Sequence, residues 1–215
     1  MNAPAAVLWD LDGTLVDTEP LWMAAEHDLA AEHGVIWTEE DGLALVGSNL
    51  LDSGRYIQQR LDSSMTPEEI VDHLVTLMTA AMRRDQPWRP NGPELVRAVA
   101  EAGVPQALVT MSYASIAEPV VEALPFDAVV TGDAVSRGKP HPEPYLLAAE
   151  RLGVRPEDCL AVEDSATGAT SAEAAGCVVL AVPHIVRVPD GPRRVLRDGL
   201  VGLDVDGLVA IFASV

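Results

Sequence analysis

Short apolar runs recur along the chain, and each is followed by polar or small residues and then by a segment with helical spacing. Continuous apolar runs of this length, rather than alternating ones, are typical of strands buried on both faces of a parallel sheet. The predicted strands are 5–9, 106–109, 128–130, 160–162 and 178–182, and the predicted helices between them are 94–102, 115–123, 144–152 and 167–175. The pattern therefore predicts an α/β fold of βαβ units, with a Rossmann-like three-layer core around a parallel sheet.

The alternation of strands and helices is interrupted once, between residues 19 and 85, where the spacing predicts helices only. The last of these begins at Thr66, Pro67 and Glu69, which combine an N-cap, a proline at the first helical position and a capping-box glutamate. The predicted helices are 21–33, 39–45, 51–61 and 67–84. We therefore predict two domains, a core of residues 1–18 and 86–215 and an all-helical cap of residues 19–85 inserted after the first strand.

Composition narrows the range of partners. The chain has 215 residues, 48% of them hydrophobic, which is enough for a substantial core. Its formal net charge of -19 argues against nucleic acid and anionic membranes as partners, because their phosphates would be repelled. A small phosphorylated substrate is not excluded, since a site can be locally positive or hold a metal. The start of the chain lacks the features of a signal peptide and no stretch reaches the length of a membrane span, so a cytoplasmic protein is expected.

The basic residues are unevenly divided, with thirteen arginines and a single lysine, Lys139. Arginine is a wide planar fork, whereas lysine places a compact charge at the end of a thin stem. A confined site for one phosphate oxygen would accept only the second. The alternative is that one lysine survived by chance.

Polar side chains follow the predicted strands where they end, and the carboxyl ends of strands are where open α/β sheets bind ligands. These residues are Asp10, Asp12, Thr110, Glu163 and Asp164. A carboxylate can act as a nucleophile toward phosphorus, and a second carboxylate two residues away can shuttle protons. Since two carboxylates beside a phosphate need cations, Mg²⁺ and Lys139 are the expected counter-charges. The alternative is structural, with the two aspartates in a turn or helix cap, Thr110 capping the next helix and Glu163 without a chemical role.

Taken in chain order, these residues form four motifs that resemble the haloacid dehalogenase superfamily. The motifs are Asp10-Leu11-Asp12-Gly13-Thr14, Thr110 after a strand, Lys139 in Gly138-Lys139-Pro140, and Glu163-Asp164-Ser165 continuing to Gly176. The resemblance covers essentially the whole chain. It is closest to the branch with a helical cap, which contains β-phosphoglucomutase and sugar phosphate phosphatases.

The resemblance implies a role for each matching position. Asp10 is the expected nucleophile and a Mg²⁺ ligand, and Asp12 the expected general acid and base, with its backbone carbonyl on the metal. Thr110 and the amides near Met111 and Ser112 are expected to bind the phosphoryl group. Lys139 is expected to neutralise the aspartyl-phosphate. Asp164 is expected to complete the metal site, with Glu163 as a ligand or a partner of one.

The same resemblance leaves the reaction open among several classes. We expect a Mg²⁺-dependent phosphatase for small phosphate monoesters of sugars or polyols, acting as a monomer or weak dimer. A β-phosphoglucomutase-like mutase is the alternative, but the cap loop at 46–51 lacks the basic residue that such enzymes tend to have, and Trp22 stands where they often have histidine. Ser48 and Asn49 in that loop are candidate contacts for substrate hydroxyls, with a simple loop turn as the other interpretation. A dehalogenase is disfavoured by the presence of Asp12, and a non-catalytic binding or regulatory protein is disfavoured because no motif position is substituted.

Three further features are interpreted structurally. Ser112 is expected to N-cap the helix that follows it. The segment Asp204-Val205-Asp206-Gly207 resembles the first motif, but no threonine follows it, so a surface turn is expected. The two cysteines, Cys159 and Cys177, begin apolar runs and are interpreted as buried thiols.

Overall fold

The computed structural model describes residues 3–45 and 49–215, and these residues divide into two compact units. The first, here called the core unit, contains residues 3–17 and 87–215, and the second, the inserted unit, lies between 18 and 86. The boundaries predicted from the sequence were 18/19 and 85/86. Where the chain leaves and re-enters the core unit, the amide of Asp17 donates a hydrogen bond to the carbonyl of Pro87 at 2.8 Å.

The core unit contains one sheet of six parallel strands. They are β1 (Ala6–Trp9), β2 (Gln106–Val109), β3 (Ala128–Val130), β4 (Cys159–Glu163), β5 (Val178–Ala181) and β6 (Arg194–Leu196). Their order is β3-β2-β1-β4-β5-β6, so the chain winds outward from β1 in both directions. This confirms the predicted α/β fold with a parallel sheet. In such a sheet the crevice where the strand order reverses, here beside β1, is the usual place for a ligand.

Helices of the core unit cover the sheet. They are α5 (Gly92–Glu101), α6 (Ala114–Ala123), α7 (Glu143–Leu152), α8 (Ala166–Ala175) and α9 (Val205–Phe212). One apolar cluster joins α7 and α8 to alternate strand residues such as Ala107 and Val109. Side chains alternate between the faces of a strand, so Gln106 and Leu108 point to the other face. There the side-chain amide of Gln106 donates to the carbonyl of Val96 in α5 at 3.0 Å, which places helices on both faces as predicted.

In its described part, the inserted unit consists of helices and the loops that connect them. Its helices are α1 (Glu19–Glu32), α2 (Glu39–Leu43), α3 (Leu50–Leu61) and α4 (Pro67–Arg84). Helix α4 begins with the predicted capping box between Thr66 and Glu69, because that pair satisfies backbone amides that the first turn leaves free. A buried carboxylate, Asp41, accepts hydrogen bonds from Arg60 at 2.7 Å and from Tyr56 at 3.1 Å, and so ties α2 to α3.

Two elements differ from the sequence analysis. Strand β6 was not predicted, because it begins with Arg194 rather than with an apolar run and forms the edge of the sheet. The predicted surface turn at 204–207 is wrong, since Asp204 is the N-cap of α9 and its side chain accepts a hydrogen bond from the amide of Gly207. The segment that resembles the first motif is therefore the start of a helix. None of the helices in residues 3–45 and 49–215 combines the length and the apolar character needed to cross a bilayer.

Candidate active site

Strand register brings the predicted residues to one edge of the sheet. Trp9 at the end of β1 pairs with Leu108 on one side and with Val162 on the other. The next residue along β1 is Asp10, which therefore lies level with Glu163 at the end of β4 and one residue before the level of Thr110. Because the three strands are parallel and adjacent, their carboxyl ends deliver a carboxylate, a hydroxyl and a second carboxylate to the same place.

The ammonium group of Lys139 lies at the centre of this arrangement. It donates to Asp10 Oδ1 at 2.7 Å, to Glu163 Oε1 at 2.6 Å and to the carbonyl of Val109 at 2.9 Å. A lysine has three N–H donors, so all three are used. Its side chain is only 5% exposed. Burial alone would lower the pKa of Lys139, but the charges of Asp10 and Glu163 outweigh it and raise that pKa above its usual range, which keeps the group charged.

Asp10 is held by two donors of different kinds. Lys139 binds its Oδ1, and the hydroxyl of Thr14 donates to its Oδ2 at 2.9 Å. The chain can turn back so that Thr14 makes this second contact because Gly13 has a φ of +80°, which residues with a side chain rarely adopt. A Cβ at Gly13 would also lie 2.1 Å from Asp164 Oδ2, so glycine is required both by the backbone and by the approach of Asp164.

Asp12 is bound by two hydroxyl groups from the turn after β2. Thr110 Oγ1 and Ser112 Oγ both donate to Asp12 Oδ2, each at 2.9 Å. The amide of Ser112 also donates to Thr110 Oγ1 at 2.9 Å, which fixes the two hydroxyls relative to each other. The expectation that Ser112 caps the following helix is wrong: Tyr113 occupies the N-cap of α6, and the hydroxyl of Ser112 is used at the site instead.

Glu163 is fully buried and enclosed by donors. Its Oε1 accepts hydrogen bonds from Lys139 and from the hydroxyl of Tyr145 at 2.5 Å, and its Oε2 accepts one from Ser165 at 3.3 Å. Helix α8 packs directly against this carboxylate, because a Cβ at Gly168 would lie 2.0 Å from Glu163 Oε1. The glycine is therefore needed for close approach of the helix.

Negative charge is concentrated here beyond what one ammonium can balance. Carboxylate oxygens of Asp10, Glu163 and Asp164 lie within 4.8 Å of one another. Burial, reinforced by Glu163 and opposed by Lys139, raises the pKa of Asp10 to about 7. Burial and the charges of Asp10 and Glu163 raise the pKa of Asp164 to about 9. A cluster of hard oxygen donors whose ionised forms repel one another fits a divalent cation such as Mg²⁺, which would favour the charged carboxylates.

The remaining predicted site residues lie in different surroundings. Met111 is half-buried, and its sulfur accepts a hydrogen bond from the amide of Lys139 at 3.1 Å. Asn49, in the inserted unit, is the N-cap of α3, where its side chain accepts from the amide of Asp52 at 2.9 Å. Ser48 lies outside the described residues. The acidic cluster does not include the carboxylate of Asp12, and a metal contact through the backbone carbonyl of Asp12 stays a prediction.

Sequence reasoning gave no role at the site to Tyr145 and none to the hydroxyl groups of Ser112 and Thr14. Tyr145 lies within a predicted helix, and its helical spacing indicates only a buried position. For Ser112 a signal was present, since it stands two residues after Thr110 in a turn that delivers hydroxyls.

The fold, together with the match to a family model, defines a hydrolase. Residues 4–176 match the family model for haloacid dehalogenase-like hydrolases, and the chain belongs to that family. It is 35% identical to hexitol phosphatase A of Escherichia coli K12 over 81% of each chain.

Two solved structures extend the comparison. CbbY from Rhodobacter sphaeroides in complex with phosphate has a TM-score of 0.84 and 28% identity, and covers 95% of this chain and 99% of its own. A putative β-phosphoglucomutase from Thermotoga maritima has a TM-score of 0.72 and 27% identity, with coverage of 98% and 99%. These similarities confirm the helical-cap branch suggested by the motifs.

Proposed function

We propose that the protein is a Mg²⁺-dependent phosphatase that hydrolyses small phosphate monoesters of sugars or polyols through a phosphorylated Asp10. The observation that carries the proposal is the contact of one carboxylate, Asp10, with a buried ammonium on one oxygen and a hydroxyl on the other, at the edge of an acidic cluster. This surrounds a nucleophile with the charges that a transferring phosphoryl group requires.

The residues of the chain supply the first half of the reaction. An oxygen of Asp10 forms a bond to phosphorus while the bond from phosphorus to the ester oxygen breaks. Asp12, in its protonated form, gives its proton to the departing oxygen, which leaves as an alcohol. Lys139 neutralises charge beside Asp10, and the hydroxyl of Thr110 is within reach of the same region. In this role Thr110 exchanges its hydrogen bond to Asp12 for one to a phosphoryl oxygen.

Hydrolysis then returns the enzyme to its starting state. Asp12, now a carboxylate, takes a proton from water, and the water oxygen attacks phosphorus. The bond between phosphorus and Asp10 breaks, which restores the Asp10 carboxylate and releases inorganic phosphate. Asp10, Glu163, Asp164 and the backbone carbonyl of Asp12 are the groups that would hold Mg²⁺. When bound, that ion supplies positive charge to the phosphoryl oxygens.

The class of substrate is suggested by the similarity to hexitol phosphatase A. Contacts from Ser48 and Asn49 to substrate hydroxyls remain a prediction. A highly acidic chain with net charge -19 also favours a small ester over a polyanionic partner.

The test is phosphate release from a panel of sugar, polyol and nucleotide monophosphates with and without Mg²⁺, followed by ³¹P NMR. Release of inorganic phosphate supports the phosphatase, whereas conversion of one sugar phosphate into an isomer would identify a mutase. Asp10→Asn should abolish release. Asp204→Asn is the matched control, because it makes the same change in the look-alike motif, where asparagine still caps α9. Activity that persists in Asp10→Asn would refute the nucleophile.

A further inference from the structure

Tyr145 is a fully buried tyrosine whose hydroxyl contacts a carboxylate of the site. It lies in the first turn of α7 and belongs to the apolar cluster that packs this helix on the sheet. A buried phenol needs a partner for its hydroxyl. The partner is Glu163 Oε1, at 2.5 Å, the same oxygen that accepts from Lys139 at 2.6 Å.

The aromatic ring of Tyr145 also faces the lysine. The Nζ atom of Lys139 lies 5.2 Å from the centre of that ring, within the range of a cation–π contact. Tyr145 therefore touches both members of the Lys139–Glu163 pair, through its hydroxyl on one side and its ring face on the other. A phenylalanine would keep the ring contact and lose the hydroxyl.

The hydroxyl changes how the charge of Glu163 is shared. With Tyr145 present, Oε1 divides its acceptor capacity between a neutral donor and the ammonium. Without it, Oε1 would lose one of its two donors, and Glu163 could move together with the ammonium bound to it, although the same three N–H groups must also serve Asp10 and the carbonyl of Val109. Movement of the ammonium with Glu163 would lengthen or break its contact with Asp10.

We propose that Tyr145 is a positioning residue that holds Glu163, and through it Lys139, where the ammonium contacts Asp10. The proposal rests on the proposed phosphatase function for its kinetic consequence, but the contact itself is independent of it. Tyr145 does not reach the reacting atoms.

The kinetic test compares Tyr145→Phe with Tyr56→Phe. Tyr56 is the matched control, because its hydroxyl also donates to a carboxylate, Asp41, at 3.1 Å, within the inserted unit. We expect Tyr145→Phe to lower kcat about tenfold, the usual effect of one lost hydrogen bond to a charged group, with KM within about twofold. Tyr56→Phe should change neither by that amount. Thermal unfolding of both variants shows that each is folded at the assay temperature.

The structural test uses the fact that Lys139 is the chain's one lysine. Lysine labelled with ¹⁵N at Nζ then gives a single side-chain signal that needs no assignment. In the wild type three acceptors should slow the exchange of its protons enough for a cross-peak without substrate or metal. Tyr145→Phe should shift this signal and speed the exchange, and Tyr56→Phe should leave it unchanged.

Each combination of results decides the matter. A slower enzyme with an altered lysine signal supports the proposal. Wild-type kcat in Tyr145→Phe, or a lower kcat with an unaltered lysine signal, overturns it. If the wild type releases no phosphate from any ester but the lysine signal still responds to Tyr145→Phe, the phosphatase proposal falls while the positioning of Lys139 by Tyr145 is supported.

Discussion

Replacement of Gly168 by alanine sets two opposing effects against each other. Gly168 lies in the first turn of α8, where its amide donates to the N-cap hydroxyl of Ser165 at 3.0 Å. Helix propensity alone favours alanine by up to about 1 kcal/mol. The new methyl group, however, would lie 2.0 Å from Glu163 Oε1 and 2.1 Å from Oε2, where ordinary contacts begin at 3.4 Å.

The unfavourable effect is expected to be the larger one. To make room, the Glu163 carboxylate must move by about 1.4 Å, the difference between 2.0 and 3.4 Å. That displacement breaks or stretches its bonds to Lys139 and Tyr145, which are 2.6 and 2.5 Å long. Disruption of a buried ion pair of this kind costs about 3–5 kcal/mol. After the propensity gain, we expect a net loss of roughly 2–4 kcal/mol, or on the order of 5–15 °C in the melting temperature.

The assay is thermal unfolding by circular dichroism combined with Mg²⁺-dependent phosphate release. Gly42→Ala in α2 is the control, because a Cβ there meets its nearest neighbour at an ordinary 3.5 Å and should raise stability slightly. Gly168→Ala should be less stable than the wild type and should lose most of its activity. A Gly168→Ala protein as stable and as active as the wild type would show that α8 does not need this close approach.

Three further predictions concern single side chains. Ser112→Ala removes one of two hydroxyls on Asp12 Oδ2 and should lower kcat roughly tenfold, measured by phosphate release, with a wild-type melting temperature. The Lys139 amine, in a side chain only 5% exposed, should be acetylated at least roughly tenfold more slowly in the folded protein than in urea, as followed by mass spectrometry; equal rates would contradict its burial. Burial raises the pKa of Glu26 to about 8, so its contribution to stability is complete below its unfolded pKa and is lost as the pH rises through about 8. Glu26→Gln should therefore melt at an increasingly higher temperature than the wild type as the pH rises from about 5 to about 9, and a constant difference would contradict this shift.

The central strands were predictable from sequence because burial on both faces leaves a continuous apolar run, as in β1 and β4. The edge strand β6 carries Arg194, which pairs with Glu173 at 2.6 Å, so its composition does not resemble that of a buried strand. Helix α9 was missed because Asp204 and Gly207 suit both a turn and a helix start. The local sequence does not distinguish a turn from the start of a helix, and packing of the residues that follow decides which of the two forms.

Among the site residues, too, some could be predicted from the local sequence pattern, whereas others depend on contacts between distant segments of the chain. Asp10, Thr110 and Glu163 follow apolar strands directly, so their convergence follows from parallel pairing. Lys139 was indicated by its motif and by its rarity among the basic residues. Tyr145 was not indicated, because the sequence pattern of an inward-facing helix residue is the same whether or not that residue has a hydroxyl group that forms a hydrogen bond.

The backbone pairing at the two ends of the inserted unit has a consequence for replacement of that unit. Asp17 and Pro87 are hydrogen-bonded neighbours, and Val16 forms an antiparallel bridge with Trp88. The two ends of the inserted unit are therefore held next to each other by paired backbone segments, like the two strands of a hairpin. Segments of very different length and architecture can be spliced into such a gap without stretching the sheet. Replacement of the inserted unit at this point therefore leaves β1 and β4, which position Asp10 and Glu163, in place.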